Sequence, residues 1–261
     1  MKKKKKNKQI IDIPPAYIAA GVLLVAIMTF FGISSFLRVN VFAVEGMNIY
    51  SAEQIVEASK VSRGDNLLYL NKNEITRNIT AELSYISSVE LKRDLPGTLL
   101  ISVKESAPLA FIPFAGDALV IDSSGRVLDI VKMTGGNRVE IGGVSIAEVR
   151  GVPINEAELG SAPKVGQGSE ASFLAMQDIL IAMEREGVAV NVNYLDVANI
   201  TNISFGYADL YRVVIGGLRD YRHKISGLPS IVTQIQESYG NTRGVVNMTN
   251  PSGVYSFVPD Q

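Results

Sequence analysis

Ala16–Leu37 is a run of 22 residues without one charged side chain, and it divides the chain into two unequal parts. A helix rises ~1.5 Å per residue and the hydrocarbon core of a bilayer is ~30 Å thick, so ~20 apolar residues suffice to span it. The run predicts a single N-terminal transmembrane helix over residues 16–37. Residues 1–15 form a basic tail, in which Lys2–Lys6 and Lys8 outweigh Asp12. Short basic flanks stay in the cytoplasm, so the tail lies inside and everything after Arg38 lies outside. The rival reading is a cleaved signal peptide with Val41-Phe42-Ala43 as the cleavage site. A signal peptide's apolar core has only ~7–15 residues, and here Arg38 separates the run from that site, so an uncleaved anchor is the better fit.

Composition narrows the function. Beyond the tail, 19 Lys and Arg face 25 Asp and Glu, which gives no electrostatic footprint for nucleic acid. The chain has no cysteine, so thiol nucleophiles, thiolate metal sites and disulfides are excluded. An exported body of this length can be held by its core alone, and bacterial export fits a disulfide-free one. The single histidine, His223, stands between Arg222 and Lys224, where two cations disfavour a protonated or metal-bound ring. A zinc or copper site would then need carboxylates alone. No Gly-x-Ser-x-Gly elbow precedes His223, and the glycine pairs lack the Gly-Lys-Ser/Thr of a phosphate loop. The expectation is a binding protein with no catalytic, cofactor or metal residue. The alternative is a membrane-anchored receptor or cell-wall enzyme with a polar pocket around Glu156, Glu158 or Asp196.

Periodicity gives an α+β body in two parts. Val39–Val44 reads as a strand, and Ser51-Ala52-Glu53-Gln54 has the form of a capping box before a short helix with Ile55 and Ala58-Ser59 inward. Asn71 or Asn73 caps a second helix whose Ile75, Ile79 and Leu83 recur every four residues. Ile86–Lys92 and Thr98–Lys104 close a β-α-α-β-β unit over residues 39–107. A mixed β-domain with flanking helices follows over 108–261. It has strands at Ala110–Pro113 and Ala118–Asp122, with a hairpin turn at Asp122-Ser123-Ser124-Gly125. Gly135–Gly168 reads as strands broken by loops. Ser169–Arg185 is a helix, and Val190–Val197, Ile200–Tyr207 and Leu210–Gly216 are strands. Ile225, Leu228, Val232, Ile235 and Tyr239 mark another helix, where Pro229 predicts a kink or a fresh start. Val245–Met248 and Val254–Val258 are the last strands.

The stretches "VNVFAVEGMNIYSAEQIVEAS", "GDNLLYLN" and "YISSVELKRDLPGTLLISVKESAPLAFI" resemble the POTRA domain of the FtsQ/DivIB family of bacterial division proteins. The stretches "VIDSSGRVL", "YRVVIGGLRDYRHKI" and "GVVNMTNPSGVYSFVP" are similar to that family's β-domain, so the resemblance runs nearly the full length. The chain departs in four places: Ser106 and Ala107 leave no Arg between Glu105 and Pro108, Asn247 stands where Asp is usual, Pro229 interrupts a helix commonly continuous, and the short tail lacks the long cytoplasmic extension of some relatives. The resemblance implies a single-pass protein of the cell membrane, at the division septum. It would be a scaffold that binds FtsL and DivIC (FtsB in other bacteria) and through them reaches the septal peptidoglycan synthase. The partner is expected to add a strand at the C-terminal edge. Carried over by motif, the partner-binding residues are Thr249, Gly253, Val254, Tyr255, Ser256, Phe257 and Val258. Alternation puts Val254, Ser256 and Val258 on one face and Tyr255 and Phe257 on the other, and leaves open which face meets the core. A weaker expectation places a second partner on the POTRA unit, at Ile49-Tyr50 or along Leu99–Val103.

Overall fold

The first helix, α1 (Pro15–Phe36), carries its proline at the start, where the missing N–H costs no hydrogen bond. The computed structural model describes residues 14–133, 139–250 and 254–260, so most of the basic tail lies outside it. At 22 residues α1 is ~33 Å long, and Val22, Leu23, Leu24, Val25, Ile27 and Met28 stand exposed around it. Among the described side chains no helix is long and apolar enough to cross a membrane. The side chains of Ile18, Phe30, Phe31, Ile33, Ser34 and Ser35 of α1 lie outside those described.

The next unit runs β1 (Val41–Glu45), α2 (Ala52–Ser59), α3 (Lys72–Glu82), β2 (Ile86–Asp94) and β3 (Thr98–Glu105), the expected β-α-α-β-β order. The capping box forms: Ser51 Oγ accepts from the Gln54 N–H at 3.3 Å and Gln54 Oε1 accepts from the Ser51 N–H at 2.8 Å. Asn71, rather than Asn73, caps α3. The strand order is β1-β3-β2, with β1 and β3 parallel. Ile55, Ile75 and Ile79 from the helices meet Leu91, Leu99, Ile101 and Val103 in one core. Leu99–Val103 is therefore the central strand and offers no edge, which corrects one of the two expected partner positions. At the other, the backbone N–H groups of Ile49 and Tyr50 are taken by the Glu105 carboxylate at 2.7 and 3.1 Å, so they offer no strand pairing, while the Ile49 side chain stays exposed.

The second unit begins with β4 (Ala110–Phe114), β5 (Asp117–Ile121), β6 (Val127–Lys132), β7 (Val139–Ile141), β8 (Val144–Arg150), β9 (Ile154–Glu156) and β10 (Lys164–Val165). It continues with α4 (Glu170–Arg185), β11 (Val192–Asp196), β12 (Ile203–Tyr207), β13 (Tyr211–Gly216), α5 (Tyr221–Tyr239), β14 (Gly244–Asn247) and β15 (Ser256–Pro259). The large sheet has the order β15-β14-β13-β12-β11-β8-β4-β5-β6, with β7 beside β8. Alternation divides its apolar side chains. Ala110, Leu119 and Ala147 face the core built with α4 and α5, while Phe111, Val120 and Ile146 face a smaller cluster that Tyr85 of the first unit joins. Burial first, then Asp129 and Tyr50, push the Tyr85 phenol pKa up.

The stretch read as strands broken by loops holds β7 to β10, with β8 in the middle of the sheet. Pro229 sits inside a single helix, α5, with no second start. Tyr221, Ile225 and Leu228 before it and Val232 and Ile235 after it are all buried on the same core, and this shared burial outweighs an interior proline's ~3 kcal/mol.

Candidate partner-binding edge

The last strand is held by its neighbours more than by its own sequence. Asn247 ends β14, and its Oδ1 accepts from the Thr249 N–H at 2.9 Å and from Thr249 Oγ1 at 2.8 Å. This Asx-type turn asks only for a side-chain oxygen, so asparagine supplies what an aspartate would. β15 then returns antiparallel, with Asn247 opposite Ser256 and Gly244 opposite Pro259. A Cβ on Gly244 would stand 2.4 Å from the Val258 carbonyl oxygen and 2.6 Å from the Phe257 ring. The bare glycine is what lets β15 lie this close.

The face left open by the sequence is assigned by burial. Tyr255 and Phe257 turn inward onto the large core. Phe257 meets Tyr211 edge-on at 6.0 Å and Tyr239 at 5.1 Å between centroids. The Tyr255 hydroxyl bonds Gln234 Oε1 at 2.5 Å. Val254 and Val258 point outward, 62% and 58% exposed, with Ser256 exposed between them. Strand β15 starts at Ser256, two residues later than expected, so Thr249, Val254 and Tyr255 precede it. Gly253 lies outside the described residues.

Backbone direction follows from two bonds. Gly244 donates to the Leu210 carbonyl on the β13 side, and Asp260 donates to the Arg243 carbonyl. Antiparallel alternation then turns Ser256, Val258 and Asp260 toward β14 and leaves the Phe257 N–H and C=O on the outer side. Pro259 has no N–H and so blunts the edge just beyond. The open backbone thus centres on Phe257, flanked by the exposed side chains of Ser256 and Val258.

Gln234, Glu237, Ser238 and Tyr239 of α5 join Tyr255 and Phe257 around a cleft of about 480 Å³. Of these α5 residues only Tyr239 is marked in the sequence, as part of the helix face rather than of a site. Gln234 and Tyr239 meet β15 only because the chain folds back across about 20 residues.

Two of the acids of the alternative pocket already have partners. Glu156 is paired with Lys164 at 2.5 Å, a bond that also raises the lysine pKa. Asp196 Oδ1 accepts from the Ala198 N–H at 3.0 Å. Among the described residues no group of three His, Asp or Glu could hold a metal ion.

Residues 37–106 match the family model "POTRA domain, FtsQ-type". The chain is 26% identical over 223 residues to Cell division protein DivIB of Clostridium tetani, covering 85% of this chain and 80% of that protein. It is 25% identical over 225 residues to the DivIB of Clostridium acetobutylicum, covering 85% and 84%. Cell division protein FtsQ of Corynebacterium glutamicum is 29% identical over 124 residues, covering 48% and 54%.

Proposed function

We propose, for a chain that belongs to the FtsQ/DivIB family of bacterial cell division proteins, that it acts in division as a membrane-anchored scaffold. In this reading α1 is the anchor, the basic tail stays in the cytoplasm, and both folded units stand outside the cell membrane at the septum. The β15 edge captures DivIC (or FtsB) together with FtsL, and through them bears on septal peptidoglycan synthesis. No covalent chemistry is involved. The partner's strand would pair with the open backbone at Phe257, which gives affinity, while Val254, Ser256 and Val258 would read its alternate side chains. The observation that carries this reading is the terminal strand itself, anchored from inside by Tyr255 and Phe257 and bare on its outer side.

The test is co-purification of tagged full-length chain with DivIC and FtsL in detergent. Deleting residues 254–261 should reduce capture at least about tenfold, the loss of ~1.4 kcal/mol or more. Val258→Asp, a change at an exposed side chain that spares the core, should reduce it in the same direction. Undiminished capture by both variants would remove the edge-strand reading.

A further inference from the structure

The POTRA unit has an end from which α1 departs, and its side chains there are unusual for surface turns. α1 stops at Phe36, and the chain is fastened to the body at once. The Leu37 carbonyl accepts from the Leu67 N–H at 2.8 Å, Arg38 bridges Asn66, and Val39 donates to the Asp65 carbonyl at 2.8 Å. A second turn closes the same end, where Asn40 donates to the Gly97 carbonyl at 2.8 Å. Arg93 Nη2, at the foot of that turn, donates to the Leu70 carbonyl at 2.9 Å and joins the two turns. With no linker between helix and body, whatever surface α1 enters is met by these two turns.

Three large apolar side chains stand out from them: Leu68 at 41%, Tyr69 at 69% and Leu95 at 57% exposure. Leu67 already fills the POTRA core beneath, so none of the three has a packing role inside the unit. Arg38, Arg63 and Arg93 are exposed around them. The acids within the two turns are Asp65 and Asp94, and Asp65 is turned back onto the Ser62 N–H at 2.8 Å. We infer that Leu68, Tyr69 and Leu95, ringed by these arginines, form a docking surface for the anionic lipid bilayer that α1 enters. Two observations favour lipid over a peptide. The surface is made of turns, which present no strand edge for pairing, and it is continuous with the exposed apolar side of α1. Tyrosine suits the boundary, with its ring among acyl chains and its hydroxyl among headgroups, while guanidinium groups pair with phosphates. Docked this way, the POTRA unit is fixed in tilt and height above the membrane.

The inference rests on reading α1 as an anchor, and the experiment separates the two. The chain has no tryptophan, so each introduced one reports a single place. Full-length Tyr69→Trp, Leu95→Trp, Val25→Trp and Tyr239→Trp would be reconstituted in phosphatidylglycerol vesicles with brominated acyl chains. Val25 lies within α1, and Tyr239 packs on β15 at the far edge of the large sheet. The expected result is strong quenching at position 25 and, at 69 and 95, quenching about twofold or more above that at 239. Quenching at 25 with positions 69 and 95 no different from 239 overturns the docking surface, leaves the anchor standing and assigns the patch to a protein partner. No quenching at 25 overturns the anchor, and the docking surface with it.

Discussion

A carboxylate at the end of β3 holds the loop that precedes α2. Glu105 accepts from three consecutive backbone N–H groups: Asn48 at 3.0 Å and Ile49 at 2.7 Å on Oε2, and Tyr50 at 3.1 Å on Oε1. Tyr50, set by this clamp, meets Tyr85 edge-on at 6.2 Å, and Tyr85 packs beneath the large sheet. One residue thus ties a loop to the contact between the two units. Glu105→Ala would leave three donors without their shared acceptor, and hydrogen bonds to a charged group contribute ~1.5–3 kcal/mol each before water takes over part of the role. Because the loop is half open to solvent, the expected loss is about 2 kcal/mol in the urea unfolding of the full chain in detergent. Glu105→Gln, which keeps one oxygen, should fall between. A wild-type midpoint for Glu105→Ala would show that water replaces the clamp at no cost. Nothing local in the sequence marks this role. Glu105 is one more acid in an alternating strand, and its acceptor geometry depends on a loop more than 50 residues earlier.

At the scale of elements, the pairing of β14 with β15 depends on the absence of a side chain at Gly244. Gly244→Ala would drive a methyl group into the Val258 carbonyl and the Phe257 ring, so the strand must move outward. The expected outcome is faster amide exchange at Ser256 and Val258, which bond to β14, and at least about a tenfold loss of DivIC capture, with POTRA amides unchanged. Unchanged exchange at Ser256 and Val258 would mean the sheet absorbs the methyl group elsewhere. The same dependence explains which elements were legible beforehand. In the POTRA unit, Ser51 and Gln54 cap within three residues of each other and Ile75 and Ile79 mark a helix face, so near neighbours decide the structure. The bounds of β8 are not legible because it pairs in parallel with β4 and with β11, more than 30 and 40 residues away, and because glycines on either side read as loop. The sequence starts β15 two residues early: its alternation is legible, whereas its start is set by the pairing of Ser256 with Asn247 and by α5, where Gln234 holds Tyr255. The inward turn of Tyr255 and Phe257 was left open for the same reason, since Gln234, Tyr239 and Tyr211 decide it.

Across the whole molecule, the two units meet at one end of the large sheet and the proposed partner edge lies at the other. From β6 to β15 there are eight inter-strand steps, which at ~4.8 Å each is ~38 Å. A POTRA unit held on the membrane can set the position of β15 over that distance only if the joint at β6 is stiff. Arg126 is the centre of the joint. Its Nη1 donates to the Ile86 carbonyl at 2.6 Å and its Nη2 to Ser106 Oγ at 3.4 Å, both in the POTRA unit and its exit. Its Nε lies 3.5 Å from Asp122 Oδ2, and both side chains are largely buried. Ser84 Oγ adds a bond to the Leu128 carbonyl at 2.6 Å. Removing the guanidinium strands the Ile86 carbonyl and leaves the Asp122 carboxylate without its cation. Asp122 keeps donors from the Ser124 and Arg126 N–H groups, so the cost falls below that of breaking a fully buried pair, at about 2–3 kcal/mol. The loss is confined to the joint, so it should uncouple the units more than it weakens either. In calorimetry of the detergent-solubilised full chain, the wild type should unfold in one transition and Arg126→Ala in two. Arg126→Lys should stay close to the alanine variant, because one ammonium cannot reach the Ile86 carbonyl, Ser106 and Asp122 together. A single transition at the wild-type temperature for Arg126→Ala would mean that the apolar contact at Tyr85 alone makes the molecule rigid. The POTRA unit's hold on β15 across the sheet would then depend on packing at that ring rather than on the ionic joint.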